Sequence, residues 1–251
     1  RLFAASPRGI ALTPEGMALH AKVARILAGM NAEAPGDAAG ISGSGPIRIA
    51  ADPVLSVGTI LSAVGALCEE RNLRIEVVRP GRLSRPDILL KILRGNSLPG
   101  SRGQFALVPL PRRILAASPS SIERRGLTIA PEYLERQHIL RIDGDEAPIE
   151  QMGPAGEEAQ LLRELPPPAF LLPDAGALLE STLTGEGLAA GLSRLDAERA
   201  LSSGQLIQVL PEWVFPEEHL ALELSSERED ARALAAELAR FFEGKAGAFE
   251  L

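Results

Sequence analysis

The run IRIAADPVLSVGTILSAVGALCEERNLRIEVV, residues 47–78, decides the fold. Residues 47–51 are aliphatic apart from one arginine and read as a buried strand. Residues 52–71 read as a helix entered through Asp52 and Pro53, and 73–78 as a second strand. Downstream the same logic places a second helix over about 84–94, stopping at Gly95, and a third strand at FALV, 105–108. Strands alternating with helices imply a mostly parallel sheet covered on both faces. The order is β-α-β-α-β.

The theme returns over 113–213, with ILAA (114–117), HILRI (138–142), AFLL (169–172), a helix around 175–184, LAAG (188–191) and LIQVL (206–210). ALEL (221–224) and a helix over 227–243 close the chain. That helix has an acidic start and carries Leu234, Leu238, Phe241 and Phe242 on one side, so it needs the first sheet to cover. The expected fold class is therefore α/β with two lobes, one built from 46–112 and 214–251 and the other from 113–213. Open parallel sheets bind ligands at the carboxyl ends of their strands, which predicts a small-molecule cleft between the lobes.

Working toward the N-terminus, 31–46 is rich in Ala, Gly, Pro, Ser and Asp without periodicity and reads as a flexible linker. Before it a helix over about 13–30 starts with Thr13 as cap, Pro14 in its first turn and Glu15 against the helix dipole. Leu19, Val23, Ile26 and Met30 recur on it at alternating spacings of four and three, the stripe with which two long helices pair, so at least a homodimer is expected. Residues 1–12, punctuated by SPRG, read as a hairpin.

Composition narrows the function. The 251 residues are 45% apolar, 24% charged and 4% aromatic, enough to bury a real core. Lys+Arg 26 against Asp+Glu 33 gives a net charge of −7, which argues against a protein that coats nucleic acid or an anionic membrane. The basic excess sits at the start, where Arg1, Arg8, Lys22 and Arg25 face Glu15 alone. No run is long and apolar enough for a membrane span or a secretory leader. One cysteine, Cys68, lies in an apolar run and reads as a buried packing residue; the expected location is the cytoplasm. Because the chain begins at Arg1, in a strand-like segment, part of a longer N-terminus is expected to precede it.

Catalytic chemistry is sparse. His20, His138 and His219 are isolated, and no metal-ligand spacing is present. GISGSG (40–45) fails the nucleophile-elbow spacing. Gly185, Gly187 and Ala190 fit a dinucleotide pattern but follow a helix and enter a strand, the reverse of what that motif requires. The reading calls for no metal, no cofactor and no enzyme activity.

The opening RLFAASPRGIALTPEGMAL (1–19) resembles the end of the DNA-binding domain of LysR-type transcriptional regulators, with Leu2, Phe3, Arg8, Leu12, Thr13 and Gly16 on that family's pattern. Ala5 stands where an arginine is common. GPIRIAA (45–51), GEGLA (185–189) and LSSGQLIQVLPEW (201–213) are similar to later family motifs in the same order. The resemblance implies the wing of a winged helix-turn-helix, a dimerising linker helix and a two-lobed effector domain like the periplasmic binding proteins. It also implies that the recognition helix lies upstream of Arg1, and that Arg8, with Ser6 beside it at the hairpin tip, contacts DNA.

For the effector, the resemblance and the cleft argument select the turn at Asp52, Pro53 and Val54, the turn at Gly81, Arg82 and Ser84, and the opposite lip at Asp174 and Gly176. Many family members hold small carboxylates on helix N-terminal amides and Ser/Thr hydroxyls. Asp52 repels an anion unless Arg82 neutralises it, which leaves a cationic or neutral polar effector open and a purely structural Asp52–Arg82 pair equally so. The family's usual aspartate before the strand leaving the first lobe is replaced by Gln104, after a polar insertion at 95–103.

The expected function is a ligand-responsive regulator that binds promoter DNA as a homodimer or homotetramer, with no membrane partner and with an effector that alters the angle between the lobes. The runner-up is a solute-binding module of the same fold without a DNA-binding role. A two-lobed enzyme using Asp52 or Asp174 lacks an acid–base partner.

Overall fold

The computed structural model describes residues 3–6, 9–13, 45–80, 85–94, 104–125, 131–151 and 161–248. The chain divides into two compact units, Arg1–Gly45 and Pro46–Leu251. In the first, β1 (Phe3–Ser6) and β2 (Gly9–Leu12) form the expected antiparallel hairpin, with Phe3 opposite Leu12 and Ser6 opposite Gly9. The predicted helix over 13–30, with Leu19, Val23, Ile26 and Met30, lies outside the described residues apart from Thr13, as does Arg8.

The second unit begins with β3 (Ile47–Ala51), followed by α1 (Val57–Glu70) and β4 (Ile75–Val78). The Ser56 hydroxyl caps α1 by accepting from the Thr59 N–H, and Thr59, Ile60, Ala63 and Val64 form its buried face. Next come β5 (Ile88–Arg94) and β6 (Gln104–Leu110), and, from the far end of the chain, β15 (Glu218–Leu224) and α5 (Glu229–Ala248). The sheet order is β4-β3-β5-β15-β6; β3 runs parallel to β4 and β5, and β15 is antiparallel to both its neighbours. As expected, α5 returns to this sheet: Leu234, Leu238 and Phe242 are fully buried in its core, while Phe241 is half-buried against it. Cys68 packs on the same core but is only half-buried.

The helix predicted over 84–94 is not there; 88–94 is strand β5. ILLKIL is apolar enough to be either, and periodicity cannot separate a short buried helix from a central strand. Register explains why the crossover needs no helix. β4 ends opposite Ala50 and β5 begins opposite Ile49, so the end of one strand and the start of the other stand level on the two sides of β3, about 10 Å apart. Asp87 opens β5 and ties it to β3, giving its N–H to the Arg48 carbonyl and accepting the Arg48 N–H at 2.8 Å.

The other sheet has eight strands: β7 (Ile114–Ala117), β8 (Ile139–Ile142), β9 (Ile149–Gln151), β10 (Leu161–Arg163), β11 (Phe170–Leu172), β12 (Leu188–Leu192), β13 (Ile207–Gln208) and β14 (Trp213–Val214). Its order is β10-β9-β14-β7-β12-β8-β11, with β13 also on β7. Helices α2 (Pro119–Arg125), α3 (Ala175–Leu183) and α4 (Arg194–Ser202) and a 3-10 turn (Pro131–Arg136) complete it. Of the strand predicted at 206–210 only Ile207–Gln208 pairs, as β13, and a further short strand, β14, follows at Trp213–Val214. Leu210 adopts φ 49° and its carbonyl takes the Trp213 N–H, a turn that separates β13 from β14. Alternation along β7 sends Ile114 and Ala116 to one core and Leu115 and Ala117 to another, so this sheet is buried on both faces.

Two segments connect the sheets, 111–113 and 215–217, and a buried ionic network joins them. The Arg113 guanidinium, 2% exposed, donates to Glu218 at 2.9 and 2.7 Å, to Asp145 at 2.5 and 3.3 Å and to the Gly191 carbonyl at 3.3 Å, while stacking 4.7 Å from the Phe215 ring centroid. Arg94, at the end of β5, reaches the same two acids at 2.8 and 2.9 Å. Burial alone would raise the Asp145 pKa, but its hydrogen bond and charge pairing with Arg113, and the charges of Arg94 and Arg141, outweigh it and hold the carboxyl below the usual range.

Candidate functional site

A cavity of about 770 Å³ opens at the carboxyl ends of β3 and β4, where the end of β11 and the start of α3 meet the first sheet. Its size suits a small molecule. The floor is the turn that follows β3. Asp52 extends the β3–β5 pairing by giving its N–H to the Leu90 carbonyl, and its Oδ1 accepts the Val54 N–H at 3.0 Å, an Asx turn that redirects the chain into α1. Pro53 lines the cavity, and its carbonyl accepts the Ala175 N–H at 2.8 Å, fastening the first residue of α3 to this turn. Apolar walls come from Leu55, Val57, Val77 and Val78.

Among the described residues the charged lining consists of Asp52, Arg79 and Asp174. Asp174 caps α3, its Oδ1 accepting the Ala177 N–H at 2.9 Å. Arg79 reaches across to the Pro173 carbonyl and stands 3.9 Å from Asp174, both side chains nearly half exposed. Burial pushes the Asp52 pKa up against the opposing pull of the Val54 N–H, Arg94 and the Ile92 N–H. Its carboxylate is committed to the backbone, and the neighbouring charges identified for it are Arg94 and Glu218.

The structure therefore brings Asp52, Pro53 and Asp174 to one cavity. Val54 is turned away from it, 5% exposed in the core of the second sheet. Gly176 sits exposed in the first turn of α3, beside the Asp174 carboxylate but outside the lining. Gly81, Arg82 and Ser84 lie outside the described residues, and the Asp52–Arg82 pair with them. Sequence reasoning missed Arg79. A basic residue directly after a parallel strand stands at the strand's ligand-binding end, and that position was the available signal. It also missed Asp196, on α4, whose Oδ1 accepts from the hydroxyls of Ser56 and Thr59.

No protein-family model and no curated protein matches the sequence. Solved structures do match. The full-length virulence activator AphB of Vibrio cholerae, a LysR-type (LTTR) protein, is 18% identical, with 96% of this chain and 84% of that chain covered and a TM-score of 0.59. The regulatory domain of CrgA, a LysR-type transcriptional regulator from Neisseria meningitidis, is 20% identical over 79% of this chain and 99% of that one, TM-score 0.58. The effector domain of the transcriptional regulator AmpR of Pseudomonas aeruginosa is 16% identical over 82% of this chain and all of that one, TM-score 0.54. The chain has the α/β fold of the LysR-type regulators. Among the described residues no helix is long and apolar enough to cross a membrane.

Proposed function

We propose that this chain, carrying the LysR-type fold, is the effector-sensing part of a cytoplasmic transcriptional regulator that binds promoter DNA as a homodimer or homotetramer and is not an enzyme. The observation that carries the reading is the 770 Å³ cavity at the carboxyl ends of β3 and β4, lined from the side of the second sheet by Asp174, the cap of α3. A ligand there touches both sheets at once, so its binding energy depends on their relative placement, which is the requirement for coupling occupancy to the rest of an assembly. Ser6 and Arg8 are assigned to DNA, and Leu19, Val23, Ile26 and Met30 to the dimer, by the resemblance and the stripe described above.

The effector is proposed to contact the Asp52–Pro53 turn, Arg79 and the Asp174 lip, with Gly81, Arg82 and Ser84 retained as the adjoining turn. A thermal-shift screen of small metabolites against the chain tests the site. A genuine effector raises the midpoint of the wild type by several degrees and leaves Val78→Trp, which fills the cavity, unmoved. A ligand that stabilises both proteins equally binds somewhere else. The same fold serves a solute-binding module without DNA, and that is the second reading.

A further inference from the structure

α4 belongs to the second sheet, where Ala197 and Ala200 are buried in its core. Other residues of its first half face the other way. Leu195 packs on the core of the first sheet, Glu198 pairs with Lys245 of α5 at 2.6 Å, and Asp196 reaches the start of α1. There Asp196 Oδ1 accepts from the Ser56 and Thr59 hydroxyls. Ser56 and Thr59 are 7% and 9% exposed. The second carboxyl oxygen, Oδ2, is buried without a hydrogen-bond partner. A surface residue forming an incidental contact would keep that oxygen in water; here Oδ2 is shielded from solvent while Oδ1 meets two hydroxyl donors at one helix terminus.

We propose that Asp196 is a resident anion in a cradle formed by Ser56 and Thr59 at the start of α1, latching α4 to α1 and closing that cradle to a free carboxylate. Helix N-termini with hydroxyl donors attract anions through unpaired N–H groups and the helix dipole. Asp196 is itself in the first turn of α4, so the positive ends of two helices share one negative charge. Burial opposes this by pushing the Asp196 pKa up, with the two hydroxyl bonds pulling it back. The consequence bears on specificity, and rests on the effector reading: a carboxylate effector has to find its countercharge away from the start of α1, and among the described residues Arg79 is the cation lining the cavity.

The test needs neither effector nor DNA, so its failure leaves the regulator reading standing. Asp196→Ala in the whole chain empties the cradle, and urea unfolding is followed in formate and in chloride at equal ionic strength. The expected result is a lower midpoint for D196A in chloride and a saturable recovery of more than half of that loss in formate. Wild type and the triple variant D196A/S56A/T59V show no formate effect beyond that of chloride. Formate shifting all three proteins alike, or D196A unfolding at the wild-type midpoint, overturns the proposal. Should D196A fail to fold, S56A/T59V keeps the acid and removes two donors. Its midpoint is expected to fall, and an unchanged midpoint refutes the latch.

Discussion

Replacing Arg113 by Met is expected to destabilise the protein by about 3 kcal/mol or more, because removing one partner of a buried ion pair leaves uncompensated charge behind. Asp145 and Glu218 are 2% and 3% exposed at their side chains, so water cannot screen them. Arg94 remains beside both acids, which keeps the effect from the upper end of the range for such deletions. The loss should depend on pH with a definite sign. In the wild type the Asp145 pKa lies below 3.8, so its ionisation contributes stability that is complete above the unfolded value and disappears as pH falls through the folded one. In Arg113→Met the Asp145 carboxyl loses the hydrogen bond and charge that do most to hold its pKa down. Urea melts at pH 7 and pH 3 should therefore show a wild-type advantage that shrinks on acidification. A loss under 1 kcal/mol, or one equal at both pH values, contradicts this account of the network.

The second large effect is expected at Gly191. Its φ of 92° is a conformation that L side chains rarely adopt, and a Cβ built there would lie 2.5 Å from Arg113 Nη1 and 3.0 Å from Asp145 Oδ2. Gly191→Ala thus combines backbone strain of about 1–3 kcal/mol with displacement of the guanidinium from its partners. A loss of about 3 kcal/mol follows. Since part of that cost is the Arg113 geometry, G191A introduced into Arg113→Met should cost measurably less than in the wild type. Equal losses in the two backgrounds would show that strain alone is at work.

Gly191 also shows how far the sequence could be read. The LAAG strand was legible from its apolar run and the glycine after it, but the reason for the glycine, a guanidinium arriving from residue 113, is a tertiary fact. The β3–α1–β4 unit was legible because its cap, periodicity and turn agree. The stretch 88–94 was misread as helix because its identity depends on register with β3 and β15, which no local pattern encodes. At the site, Asp52, Pro53 and Asp174 were found because a strand end followed by a helix start is a local signature. Val54 was grouped with them by adjacency, although alternation within the turn sends it into the opposite core. Asp196 was invisible because its partners, Ser56 and Thr59, lie 140 and 137 residues away.

The most direct test of the central claim is a gel-shift titration of the complete gene product on its own upstream intergenic DNA, run at two salt concentrations beside the 251-residue chain. The account predicts a sequence-selective, salt-weakened shift by the complete product and little or none by the chain. No shift by either protein would contradict the regulator reading and leave the solute-binding module in its place.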